Sequence, residues 1–286
     1  MQAMNVNDVF LENDNCLTLA VTSGKGGVGK SNLVANLALQ LGRRGKKVMV
    51  LDADMGMANM DVILGVRPRY TLYHVIEGRK DLLQTVTSVT ENVKLIAGGS
   101  GIMGLADLEI DRRSRIFESL KKIRQYTDIL LIDTGAGLSP NVLDFLQYSN
   151  EVLLVSTPEP TSMADAYGII KAMNQREGSY PEISLVVNRC ASAKEAVGVA
   201  SRMKTVTTQF LQRDIKYKGY ILEDEHVSKA VRGQKPYSKL YPECKASLCL
   251  QKIVDEYSQT SKQMKKKGSA MNFFQSFISF FVRGKS

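Results

Sequence analysis

The stretch SGKGGVGKSN, residues 23–32, decides how the rest of the chain is read. Gly24, Gly29, Lys30 and Ser31 satisfy the spacing G-x-x-x-x-G-K-[ST], with an apolar β-rich run before it and a helix-period run after it. Glycines let a backbone curl until successive N–H groups point inward, and the start of the following helix adds its positive dipole end. The loop from Gly24 through Lys25, Gly26, Gly27, Val28 and Gly29 to Asn32 is therefore suited to phosphate oxygens. Lys30 would sit on the β- and γ-phosphates of a nucleotide, and Ser31 would ligate Mg2+.

Outward from that loop, short apolar runs alternate with helix-period segments. LTLAVTS (17–23), KVMVLDAD (47–54), VKLIAGG (93–99), DILLIDT (128–134), EVLLVST (151–157), ISLVVNR (183–189) and YKGYIL (217–222) read as strands apolar on both faces. Helices are expected near 29–43, 109–126, 140–149, 161–177, 193–213 and 243–264. This alternation predicts an α/β fold: a doubly wound, mostly parallel sheet with helices on both faces. Ligands bind such a sheet at the carboxyl ends of its strands. There the second strand offers Asp52 and Asp54 with Asp61 further on; a carboxylate in this place can orient an attacking water or reach the Mg2+ shell. Asp133 ends DILLIDT and fits a role in holding the metal, with Gly135 and Gly137 letting the next loop sense the γ-phosphate. VVNRC presents Asn188 and Arg189, and GYILEDEHVSKAV presents Glu223 and Asp224, which could equally cap the helix that follows.

Of the 286 residues, 44 per cent are hydrophobic and 23 per cent charged, enough apolar material for a sizeable core. Cys16, Cys190, Cys244 and Cys249 form no CxxC pair and His74 lies far from His226, so incidental thiols are expected rather than a metal or disulfide site. No apolar run approaches the roughly 18 residues of a membrane span, and the first residues lack the pattern of a signal peptide. The net charge is +9, but six basic residues and no acidic one lie from Lys262 onward, leaving about +3 on the rest. The expected organisation is a short arm (1–16), a nucleotide-binding domain (17–261), a basic linker (262–269) and a tail (270–286).

Lys25 sharpens the picture. GKGGVGK carries a second lysine near its start and resembles the deviant phosphate loop of the MinD/ParA (SIMIBI) class of P-loop ATPases. Within that class KSNLVANLAL, DADMGMANMDVILG, LYHVIEG, LIAGGSG, IDTGAG, TPEPTSMADAYGIIK and GYILEDEHVSKAV are most similar to the FlhG (FleN, YlxH) family, which controls flagellar number and placement. The resemblance implies ATP and Mg2+ as ligands and an ATP-dependent homodimer in which Lys25 reaches the partner's phosphates. It puts the water-positioning role on Asp54, the adenine edge on Asn188, and a loop closing over the base on Glu223 and Asp224. Lys25, Lys30 and Asp54 are then the catalytic set; Ser31, Asp54 and Asp133 hold the metal. The family's partners would be the FlhF GTPase, flagellar switch-complex (C-ring) proteins or a flagellar transcriptional regulator. Its D-Q-A-x-x-L-R arm, which stimulates FlhF, is represented here only by Gln2 and Ala3. Alternative readings are a MinD-type protein of the division site, a ParA-like protein binding DNA, which would need a basic stripe on the body, and an Mrp-type iron–sulfur carrier, which would need paired cysteines.

The tail NFFQSFISFFVRGKS (272–286) holds five of the nine phenylalanines. On a helical wheel Ala270, Met271, Phe273, Phe274, Phe277, Ile278, Phe280, Phe281 and Val282 fill an arc of about 200°, with Asn272, Gln275, Ser276, Ser279 and Arg283 opposite. An amphipathic helix with basic flanks suits the headgroup plane of an anionic leaflet, as against docking on the protein's own body. One such helix holds a membrane marginally and two linked helices gain by effective concentration. The reading is a cytoplasmic protein reversibly bound to the inner face of the cell membrane, with no direct nucleic-acid contact.

Overall fold

Strand β1 (Leu17–Ser23) is buried along its whole length, because its neighbours on both sides are strands and helices cover both its faces. The computed structural model describes residues 16–54, 56, 58–99, 119–120, 123–176 and 181–263. The arm before residue 16, most of the helix expected over 109–126, and the tail residues Phe273, Phe274, Phe277, Ile278, Phe280 and Phe281, expected to meet a membrane, lie outside the described residues. No described helix is long and apolar enough to cross a membrane.

After β1 come helix α1 (Lys30–Arg43), β2 (Val48–Ala53), α2 (Met60–Leu64), α3 (Leu72–Ile76), a 3-10 turn (Leu82–Thr85), β3 (Val86–Ser88) and β4 (Val93–Ile96). Then follow β5 (Ile129–Ala136), α4 (Pro140–Gln147), β6 (Glu151–Ser156), α5 (Pro160–Asn174), β7 (Glu182–Cys190) and α6 (Ala193–Leu211). The chain continues through β8 (Lys216–Leu222), α7 (Glu225–Arg232), α8 (Tyr237–Leu240) and α9 (Lys245–Gln263). The strand order is β3-β4-β2-β5-β1-β6-β7-β8, parallel throughout except for β3, which pairs antiparallel with β4. α9 runs two residues past the boundary expected at 261, so the linker begins inside the helix.

Alternation along the strands divides the apolar residues between two cores. Leu19 and Val21 of β1 and Val50 of β2 join Leu33 and Leu37 of α1 and Ile253 and Tyr257 of α9 on one face. Ala20, Leu51 and Leu130 meet Phe145, Ile169 and Val199 on the other. Each fully buried Val, Leu, Ile or Phe among them contributes about 1.5–3 kcal/mol. Helix starts are set locally: Ser139 accepts from the Val142 N–H with Pro140 in the first turn of α4, and Ser192 accepts from the Glu195 N–H at the start of α6.

β1 lies between β5 and β6, so the connections diverge on either side of it and open a crevice at its carboxyl end. α9 spans the sheet in the other sense. Near its start the Ala246 N–H donates to Asp224 Oδ2 beyond the end of β8, and further along Tyr257 OH donates to Glu151 Oε1 at the first residue of β6.

Candidate functional site

The residues between β1 and α1 form a tight loop that only particular glycines permit. Gly27 and Gly29 have φ of 79° and 93°, the left-handed region, and a Cβ at Gly29 would run into the side chain of Asn188. No side chain caps α1 and its first turn holds no acidic residue. The N–H groups there are left facing the crevice, a ready anion site.

Lys30, the first residue of α1, is buried, and its Nζ lies 2.6 Å from Asp133 Oδ1. The other Asp133 oxygen, Oδ2, is buried without a hydrogen-bond partner among the described residues. Burial pushes the Asp133 carboxyl above its ordinary pKa, and the Lys30 ammonium pulls it part of the way back. Ser31 Oγ lies 3.4 Å from Lys30 Nζ. A buried carboxylate and a serine hydroxyl are hard-oxygen donors, and the lysine beside them is a cation for phosphate, so these residues fit a magnesium nucleotide.

Strand register puts Asp52 of β2 opposite Asp133 of β5. Burial first, and the charge of Asp133 second, push Asp52 up to about 7, against the pull of the Met60 and Asp54 N–H groups and of Lys30. Its carboxylate is occupied by backbone: Oδ2 accepts from the N–H groups of Asn59 and Met60, each at 3.1 Å, and Oδ1 from that of Asp54 at 3.2 Å. Asp52 thus caps α2 from below and splints the loop between β2 and α2. Asn59, at the cap position itself, contributes no side-chain bond, and Asp61 sits within the first turn. Asp54 stands at the open side of that loop, its Oδ1 accepting from the Gly56 N–H and lying against Gly135.

A cleft of about 740 Å3 brings the expected residues together: Gly26, Gly27, Gly29, Lys30, Ser31, Asn32, Asp54, Asn188, Arg189, Glu223 and Asp224 all line it. Lys25 is turned elsewhere. Its Nζ lies 3.2 Å from Glu159 Oε2 and 3.5 Å from Thr161 Oγ1, at the start of α5. From the end of β7, Asn188 reaches the phosphate loop itself, donating from Nδ2 to the Val28 carbonyl at 2.7 Å, and its Oδ1 accepts from the N–H of Arg189, whose φ is 56°. Asp224 caps α7, accepting from the N–H of His226, and it also meets His226 Nδ1 and the Ala246 N–H. Burial would raise its pKa, but these bonds outweigh it and hold the carboxyl at about 2. Of the two roles open to Asp224, the cap is the one its side chain performs; Glu223 is exposed at the cleft's edge.

Several contributors were not singled out from the sequence. Glu159, the partner of Lys25, is 134 residues away in the chain, and Ile63, Val227 and Val231 supply apolar wall. Asp52 stood in the quoted DAD stretch, but its use as a cap depends on the cross-strand register.

Residues 17–181 match the family described as AAA domain. The chain is 38% identical to the antiactivator FleN of Pseudomonas aeruginosa, over 83% of this chain and 85% of that one. It is 33% identical to the flagellum site-determining protein YlxH of Helicobacter pylori, over 85% and 82%. Among solved structures, the cell division ATPase MinD of Pyrococcus furiosus superposes with a TM-score of 0.70 at 25% identity, covering 85% of this chain and 99% of that one.

Proposed function

Because the chain belongs to the MinD/ParA-type P-loop ATPases, in the branch that holds FleN and YlxH, we propose that it is an ATP-driven, membrane-associating switch in the control of flagellar number and placement. The observation that carries this reading is the buried Lys30–Asp133 pair at the head of the cleft. Both members are groups that a magnesium nucleotide would re-employ. Lys30 would hold the β- and γ-phosphates, and Asp133 and Ser31 would hold the metal. Magnesium, when bound, neutralises phosphate charge and holds the phosphates in register. Asp54 orients the water that attacks the γ-phosphorus, while the bond to the β–γ bridging oxygen breaks and ADP and phosphate leave.

Lys25 is the residue that supports dimerisation in this reading. Its contact with Glu159 joins two groups 45% and 58% exposed, and an exposed pair of this kind is worth only about 0–1 kcal/mol. Lys25 is therefore free to exchange Glu159 for the phosphates of a second copy. Pairing two chains would pair two phenylalanine-rich tails, and hydrolysis would release them. The names antiactivator and flagellum site-determining protein, carried by the two relatives, suit a transcriptional activator or the flagellar assembly site as the partner.

The test is sedimentation with anionic vesicles, with and without ATP, of the full chain beside a version ending at Lys267. The full chain is expected to sediment only with ATP and the shortened one not at all; equal behaviour of the two removes the tail from the scheme. Asp54→Ala is expected to lower turnover by about 100-fold or more while sedimentation with ATP persists. If that variant still turns over at the parental rate, Asp54 does not position the water.

A further inference from the structure

α9 carries the chain away from the cleft. It starts beside Asp224 at the carboxyl ends of the strands and passes Glu151 at their amino ends, so its last described residue, Gln263, lies toward the face opposite the nucleotide. That same face holds the turn joining α1 to β2, GRRGKKV (42–48), with four basic residues in five positions. Arg43 and Lys47 are exposed, though Arg43 Nη1 also donates to the neutral Ser238 carbonyl at 3.4 Å and keeps its charge, and Arg44 and Lys46 are half-buried. The turn is rigidly placed: Asn92 Nδ2 donates to the Gly42 carbonyl, and the Lys47 carbonyl accepts from the N–H groups of Asp128 and Ile129. It is also tied to the helix, since Arg44 Nη2 lies 2.6 Å from Asp255 Oδ1. Asp255 meets Arg44, and Asp128 Oδ2 is drawn to the Lys47 N–H, so the turn keeps an excess of positive charge.

We propose that the Arg43–Lys47 turn is a second contact with an anionic phospholipid surface, on the face toward which α9 runs. The inference rests on the membrane reading of the tail given above. Residues 264–269 can extend roughly 20 Å, so a tail lying in the headgroups lets this face of the body come down onto them. Charges act only within about 8 Å of the surface at physiological salt, which a tethered face reaches and a free one does not. Duplex DNA offers phosphates too, but the phenylalanines that follow the basic run from Lys262 in the sequence favour lipid. The turn would add affinity that depends on lipid charge, whereas the tail's apolar face would not.

The experiment uses the full chain with ATP and compares vesicles of phosphatidylglycerol mixed with phosphatidylcholine against phosphatidylcholine alone. The double variant Arg43→Gln/Lys47→Gln is expected to bind the anionic vesicles about 25-fold more weakly. Its binding to the neutral vesicles and its vesicle-free ATPase rate should stay at the parental level. Lys47→Gln alone, expected to lose about fivefold, serves if the double variant loses ATPase activity. Parental affinity for anionic vesicles overturns the inference while leaving the tail reading intact. Should the variant instead lose retention on duplex DNA and keep its vesicle affinity, the inference is also overturned and the turn belongs to nucleic acid. A full chain that ignores both kinds of vesicle ends both readings together.

Discussion

The two ends of the cleft are built on opposite terms. At the phosphate end, Lys30 and Asp133 face each other in near-complete burial, and one Asp133 oxygen has no hydrogen-bond partner among the described residues. At the base end, Asn188 has both its amide groups engaged, one on Val28 and one on Arg189, and Asp224 accepts from His226 and Ala246. The first arrangement leaves a buried charged oxygen that a bound metal nucleotide would answer. At the second, Asn188 and Asp224 are satisfied by the chain itself and supply shape. Affinity should thus collapse when the phosphate end is altered and only soften when the base end is.

The largest break of that contrast is Lys30→Ala. Removing one member of a buried ion pair leaves the other uncompensated and costs about 3–5 kcal/mol, less whatever Asp133 recovers by taking up a proton, since burial already raises its pKa. Nucleotide binding is expected to be lost as well. Lys30→Ala combined with Asp133→Asn should regain much of the thermal stability and none of the ATP affinity in calorimetry. Recovery of both would mean that the pair serves folding and that phosphate is held elsewhere.

Asn188→Ala probes the softer end. It removes a side-chain bond to the Val28 carbonyl, worth about 1 kcal/mol, so the phosphate loop should persist with an ATP affinity lowered by about fivefold. A loss as complete as that of Lys30→Ala would show that the loop's shape depends on Asn188, and the two ends would no longer be separable.

The phosphate end was also the more legible in the sequence, for the same physical reason. A loop whose N–H groups must surround phosphate has few solutions, so the spacing of Gly24, Gly29, Lys30 and Ser31 carries its own geometry. The buried parallel strands announce themselves likewise, since burial on both faces demands continuous apolar runs. β3 did not: it has three residues, none of them buried, on the edge of the sheet. Helices α2 and α3, five residues each, are too short to show a helical period. What sequence could not give was partnership across distance. Asp52 meets Asp133 through strand register, Lys25 meets Glu159, and Asn188 reaches a carbonyl 160 residues away.

The smallest effect belongs to Asp224, and it separates cap from ligand contact by pH. Its carboxyl is held at about 2 in the folded chain, below the ordinary value of 3.8, by bonds that exist only once α7 and α9 are in place. A carboxyl depressed by folding stabilises fully above the unfolded value and loses that contribution as pH falls toward the folded one. Between about pH 4 and pH 2 the parent should therefore forfeit about 1–2 kcal/mol that Asp224→Asn never had, and urea melts of the two should converge across that window. ATP affinity at neutral pH should change by no more than about threefold, because the side chain spends its acceptors on backbone and on His226. Melts that stay parallel down to pH 2, with ATP binding strongly weakened, would move Asp224 from the frame of the base end into direct contact with the nucleotide.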